Sequence, residues 1–251
     1  MKDQKTLASI NLYAILGSIP KLCLLDCDAK KLIDGKNVSI GFNIKNITSA
    51  TLIFENGTCA FKSGIEKCDI LLPFSTPEKF NGMINGTSTP IPRKGFLKLG
   101  FLLHEFKQLT NILTKYLKPS QEDLIDESFF KISTILMFHV IAGAISQIGN
   151  NDKIGKASAG YIVDGIIKLS IKDTDSIGLQ AKNHILTTMS DAPEKFLSCM
   201  EFSSIHLARD LFDGKVNSVA CIGDGKVKIC GMISQIDNVN RILDRVALYL
   251  A

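Results

Sequence analysis

The chain repeats itself, and that repeat limits its fold more than any other feature of its 251 residues. Tyr13-Ala-Ile-Leu-Gly-Ser-Ile-Pro-Lys-Leu22 lines up with His139-Val-Ile-Ala-Gly-Ala-Ile-Ser-Gln-Ile148, with Gly17 and Gly143 setting an offset of 126. Both read as apolar helices with a small-residue waist. Ile40, Phe42, Ile44 and Lys45 match Ile167, Leu169, Ile171 and Lys172 at an offset of 127, and alternation at period two marks strands. Leu52, Phe54 and Asn56 match Leu179, Ala181 and Asn183 at the same offset. Phe74-Ser75-Thr76 through Gly86 matches Phe202-Ser203-Ser204 through Gly214 at 128, and Phe96-Leu-Lys-Leu-Gly100 matches Val227-Lys-Ile-Cys-Gly231 at 131. An offset that only drifts upward across consecutive elements argues for two tandem copies of one domain.

Local signals give each copy the same order: helix, strand, hairpin strand, strand, helix, strand, helix. Glu55-Asn56-Gly57-Thr58 is a hairpin signal, because Asn-Gly tolerates the positive φ of a type I′ turn, and Asn183-His184 stands in its place in the second copy. Ser75 with Glu78 predicts a capping box, Pro77 suits a first turn, and Gly86 or Gly214 suits a left-handed stop. Each copy closes on an amphipathic helix, with Leu102, Phe106, Leu109, Leu113 and Tyr116 in one and Ile236, Val239, Ile242, Val246 and Leu250 in the other. The polar stretch from Pro119 to Glu127 reads as a linker, so the domains run 1–118 and 128–251, with 119–127 between them. Hairpin-linked strands with helices at their ends predict an α+β fold, each copy a mainly antiparallel sheet.

Composition narrows the function. With 45% hydrophobic residues the chain can bury a sizeable core. A formal net charge of +4 falls short of a nucleic-acid footprint, and the absence of Trp leaves no stacking platform for bases. Up to residue 125 there are 16 basic and 11 acidic residues, leaving 13 and 14 for the rest, so the first copy is the basic one. Seven cysteines include no C-x-x-C pair and most sit in apolar stretches; we read them as buried reduced thiols, which points to the cytoplasm. Asn11 breaks the stretch Leu7 to Ile19, against a signal peptide. The run Ile135 to Ile145 is shorter than the roughly 20 residues of a membrane span, so a buried helix rather than a transmembrane segment is expected. The four N-x-S/T triplets are read as incidental.

Catalytic signals are weak. His104, His139, His184 and His206 fall at no matching positions in the two copies; His139 on an apolar helix reads as a core histidine, and His184 as a solvated turn residue. Walker A, G-x-S-x-G and H-E-x-x-H motifs are missing. Ile222-Gly-Asp-Gly-Lys226 reads as a glycine turn into a strand, and Cys23 and Cys27 as core packing rather than metal ligands. More telling is an apolar excess. Phe80, Met83 and Ile84, then Phe101, Leu102, Leu103 and Phe106, recur in the second copy as Leu207, Ala208, Leu211 and Phe212, then Met232 and Ile233. Such a set lines an apolar cavity or fills an ordinary core.

A glycine-ended helix, a spacer, a strand ending in Gly and a closing amphipathic helix resemble the sterol carrier protein 2 family of lipid-binding domains. In the first copy the resemblance runs through Val38 to Ile44, Thr51 to Phe61, Ile70 to Phe74, Phe80 to Gly86 and Phe96-Leu-Lys-Leu-Gly100. In the second it runs through Leu211-Phe-Asp-Gly-Lys215 and Gly225-Lys-Val-Lys-Ile-Cys-Gly231. The resemblance implies a five-stranded sheet covered by helices around an apolar tunnel, without a cofactor. Its ligand-binding residues here would be Phe80, Met83, Ile84, Phe101 and Phe106, and Leu207, Leu211, Phe212 and Met232. The chain departs from the family at Phe101 and Met232, where Asp often follows the strand-ending glycine, and at Thr87.

The expected function is therefore non-enzymatic: non-covalent carriage of a hydrophobic small molecule such as a fatty acid, acyl lipid or sterol-like compound. Burial of roughly 25 cal/mol per Å² would drive it. The alternative is a filled pseudo-dimer serving as an interaction module. The basic first copy further suggests contact with an anionic membrane surface.

Overall fold

The computed structural model describes residues 2–250, and the chain divides into two compact units, Met1–Leu136 and Met137–Ala251. Helix Glu127–Asn151 carries the chain from one to the other.

In the first unit, helix α1 (Gln4–Leu25) holds a π turn at Asn11–Ile15 and a 3-10 turn at Leu16–Ser18, and α2 (Cys27–Ile33) follows it. Strands β1 (Val38–Ile44), β2 (Thr48–Glu55), β3 (Thr58–Ser63) and β4 (Ile70–Phe74) form a sheet in the order β3-β2-β1-β4. The β1–β4 pair is parallel, so the sheet is mixed. The β2–β3 turn takes positive φ at both Asn56 (51°) and Gly57 (71°), as a type I′ hairpin requires. Helix α3 (Pro77–Ile84) follows, then α4 (96–117), a continuous helix whose first turns are 3-10 and π. Ile40, Phe42 and Ile44 of β1 share a face with Leu52, Phe54, Ile70, Leu72 and Phe74, and that face forms the core with α1 and α4. On the other face Gly41 lacks a side chain, which lets Cys68 and Ile65 of the β3–β4 loop close over the strand.

Helix α5 (Glu127–Asn151) leads into α6 (Lys153–Ala159) in the second unit. Strands β5 (Gly165–Ile171), β6 (Asp175–Lys182), β7 (Ile185–Met189), β8 (Ser198–Phe202) and β9 (Val227–Gly231) pair in the order β7-β6-β5-β8-β9, with β5–β8 parallel. Helices α7 (Ile205–Phe212) and α8 (Ser218–Gly223) precede β9, and α9 (Ile233–Leu250) closes the chain. Asn183 and His184 both take positive φ in the β6–β7 turn, doing the work of Asn56-Gly57 without a glycine.

Both sheets are mainly antiparallel, each with one parallel pair. Four other sequence expectations are corrected. The first sheet has four strands, because Phe96 to Gly100, expected as its fifth, is the first turn of α4. The place of β9 is taken there by 91–95: Leu71 bridges Lys94 as Cys199 pairs with Cys230, and Gly95 approaches Asp69 and Ile70 as Gly231 approaches Leu197 and Ser198. Pro92 has no N–H to extend that bridge into a strand. Second, the cap of α3 is Thr76, whose hydroxyl accepts from the Lys79 amide, rather than Ser75; Ser204 caps α7 in the same way. Third, Cys199 and Cys230, read as reduced core thiols, lie opposite each other on β8 and β9 and are joined as a disulfide, while Cys27 is exposed. Fourth, the apolar run at Ile135 belongs to a much longer helix. Both Gln4–Leu25 and Glu127–Asn151 are long and apolar enough to cross a membrane, although 61% and 56% of their apolar windows are buried within the protein.

Candidate functional site

The interior of the first unit is packed with aromatic rings. Phe80, on α3, meets Phe74 at 5.0 Å and Phe42 at 6.4 Å, both edge-on. Phe106 tilts over Phe42 at 6.1 Å, and Phe101 sits 5.1 Å from Phe54. Met83 and Ile84 are half-buried against the same cluster. All five candidate residues of this unit thus reach one core, where Phe80 and Phe106 both meet Phe42 and Phe101 meets Phe54. A polar strap ties α1 to α3 at its edge: Asn11 donates to Asn81 Oδ1 at 2.9 Å, and Asn81 donates to the carbonyl and side chain of Gln4 at 3.1 and 2.9 Å. The break that Asn11 makes in its apolar stretch is this bond.

The second unit is different. Between its sheet and α5, α7 and α9 lies a cavity of about 20 Å³. Its walls are apolar throughout: Phe138, Ile141 and Ile145 from α5, Leu169, Met200 and Phe202 from the sheet, Val239 and Leu243 from α9, with Ala142 and Phe212. Phe212, the last residue of α7, stacks on Phe138 at 6.3 Å and 11° and meets Phe202 edge-on at 5.8 Å. Gly214, at φ 68°, then stops the helix. Of the four candidates here, Phe212 lines the cavity; Leu207, Leu211 and Met232 are half-buried outside its lining. Phe138 and Leu243 were missed in the sequence, although the apolar run of α5 and the stripe of α9 carried their signal.

A space of this size holds about one water, and an apolar one stays dry. A pocket for a drug-sized ligand runs to hundreds of Å³. Occupation by a chain-like molecule therefore requires this space to widen.

The polar clusters are hydrogen-bonded within the protein. Asp152 caps α6, its Oδ1 accepting from the amides of Ile154 and Gly155, both at 2.9 Å, and from Arg245 Nε at 2.6 Å. Its Oδ2 accepts from Arg245 Nη2 at 2.8 Å and the Tyr249 hydroxyl at 2.7 Å. Burial alone would raise this carboxyl, but those donors outweigh it and hold it at about 2. His139 Nε2 lies 3.0 Å from Asp175, a mostly buried pair beside the sheet. Burial and a hydrogen bond to Asp26 raise the Tyr116 hydroxyl above its ordinary value. No three of His, Cys, Asp and Glu converge as metal ligands among the described residues.

A scan against protein-family models found no match, and neither did a search of curated proteins. Among solved structures, the chain is similar to the sterol carrier protein domain 2 of Helicoverpa armigera, with 17% identity, a TM-score of 0.36, and coverage of 44% of this chain and 88% of that one. It is also similar to apo sterol carrier protein 2 from Yarrowia lipolytica, with 23% identity, a TM-score of 0.33, and coverage of 42% and 88%. A third likeness, to a sec-alkylsulfatase from Pseudomonas sp., has 11% identity and a TM-score of 0.26, covering 57% of this chain and 28% of that one.

Proposed function

We propose that the protein binds a long apolar molecule, a fatty acid, acyl lipid or sterol-like compound, in the interior of its second unit. The observation that carries this reading is the wholly apolar cavity under the Phe138–Phe212 stack. No polar side chain in that lining offers an acid, base or nucleophile, which supports carriage as the role of this cavity. We further infer that the units are two copies of one domain. Shared strand order, parallel pairs in matching register (Ile40 with Ile70, Ile167 with Ser198) and the common hairpin support it. In the first copy the rings of Phe80 and Phe106 meet Phe42, and the ligand is assigned to the second.

Titration of the full chain with a dansyl-labelled fatty acid tests the proposal. Ala142→Leu places extra carbons in the cavity and is expected to weaken uptake at least tenfold while leaving the circular dichroism spectrum unchanged; Phe80→Leu in the first unit is expected to leave uptake intact. Uptake indifferent to Ala142→Leu but lost with Phe80→Leu would place the ligand in the wrong unit.

A further inference from the structure

The first unit leaves one apolar helix face uncovered. Phe96, Leu97 and Leu103, on the first turns of α4, are 66%, 103% and 62% exposed, and Ile91, in the Pro-flanked strand remnant just before them, is 79% exposed. Phe96, Gly100, Leu103 and Lys107 recur at spacings of four, three and four, which puts them on one side of the helix. The space beside Gly100 is open, while Phe101, Phe106 and Leu109 on the other side are buried. Large apolar side chains concentrated this way mark an interaction surface.

Charge decides the partner. The segment 91–107 carries Arg93, Lys94, Lys98 and Lys107 against one carboxylate, Glu105, and Lys36 and Asp69 pair with it from outside. Lys98 lies 3.1 Å from Asp69 and Lys36 lies 2.6 Å from Glu105, which leaves the cations in excess. Lys94 lays its ammonium on the Cys68 carbonyl at 2.7 Å, while Arg93 and Lys107 are exposed. Protruding apolar side chains ringed by cations match the interface of an anionic bilayer, where apolar groups enter the acyl boundary and Lys or Arg meet the headgroups.

We propose that the segment 91–107 docks the protein on anionic lipid surfaces, with Phe96, Leu97 and Leu103 entering the bilayer and Arg93 and Lys107 contacting its headgroups. The proposal concerns the first unit and does not depend on the cavity of the second.

The chain contains no Trp, so Leu97→Trp introduces a single reporter. Its emission is expected to shift to shorter wavelength on adding vesicles of phosphatidylcholine and phosphatidylserine in equal parts, and to stay unchanged with phosphatidylcholine alone. Ile125→Trp, an exposed apolar site in the turn after α4, is expected to show no shift with either. Arg93→Gln with Lys107→Gln should weaken sedimentation with the anionic vesicles about thirtyfold, at roughly 1 kcal/mol per cation and 1.4 kcal/mol per tenfold. An equal shift from both Trp positions, no shift at either, or binding unaffected by the double substitution would overturn the proposal. So would a vesicle-independent shift that grows with protein concentration, which would mean that a second copy of the chain covers this face.

Discussion

Replacing Arg245 by Met removes the guanidinium that makes two of the five hydrogen bonds to Asp152, at 2.6 and 2.8 Å. The carboxylate is 5% exposed and would remain buried with two amides and the Tyr249 hydroxyl. Breaking a buried pair by deleting one partner costs about 3–5 kcal/mol. Because three donors remain and the Arg245 side chain is 21% exposed, the low end applies, about 3 kcal/mol at neutral pH. The pH dependence follows from the depressed carboxyl. In the wild type it lies at about 2 against an ordinary 3.8, so its contribution, about 2 kcal/mol, is present above pH 4 and lost as pH falls toward 2. In the variant, burial acts against fewer donors and the carboxyl rises, so protonation relieves the strain earlier. The gap between the two proteins is therefore expected to narrow from pH 7 to pH 3. Urea unfolding followed by circular dichroism at several pH values measures it, with the second unit's transition resolved separately if the two units melt apart. A loss below about 1 kcal/mol at pH 7, or a gap that widens on acidification, would refute the reasoning.

Other outcomes follow from the same packing. Gly231→Ala puts a Cβ against the Leu197 carbonyl at a φ of 78°, and should cost at least about 2 kcal/mol in thermal or chemical unfolding; Gly95→Ala, at φ 94° against Asp69 and Ile70, should do the same in the first unit. Phe80→Ala empties a fully buried site ringed by Phe42 and Phe74 and should cost about 4 kcal/mol by denaturant midpoint. Phe212→Ala, at a half-buried helix end, should cost about 1–2 kcal/mol while strengthening fatty-acid uptake by enlarging the cavity beside Phe138.

Much of the fold was legible because its local signals are short-range. Asn56-Gly57 carries its own turn geometry, period-two alternation marks Ile40, Phe42 and Ile44, and Gly86 and Gly214 both take the left-handed stop, at 73° and 68°. What failed depended on distance along the chain. Gly95, rather than Gly100, stands where Gly231 does, because the second unit has eight more residues between β8 and that glycine and spends them on α8. Counting apolar positions matched Phe96-Leu-Lys-Leu-Gly100 to β9, whereas Pro92 and a short connection leave a single bridge and start the helix early. The Cys199–Cys230 pair was invisible for the same reason: they are 31 positions apart, and only the register of β8 on β9 brings them opposite. In the candidate site, the aromatic composition of both interiors could be read, but whether rings meet or leave a gap is set by packing that no pattern records. Phe80 and Phe106 close on Phe42, while Phe212 stacks on Phe138 beside empty space.

On the function proposed above, the second unit carries one apolar molecule. Native mass spectrometry of freshly purified full-length protein, paired with organic extraction and lipid analysis, tests it most directly. One acyl or sterol-like molecule per chain, lost in Ala142→Leu and kept in Phe80→Leu, is the predicted result. A protein that arrives empty and takes up no fatty acid when offered one would contradict it.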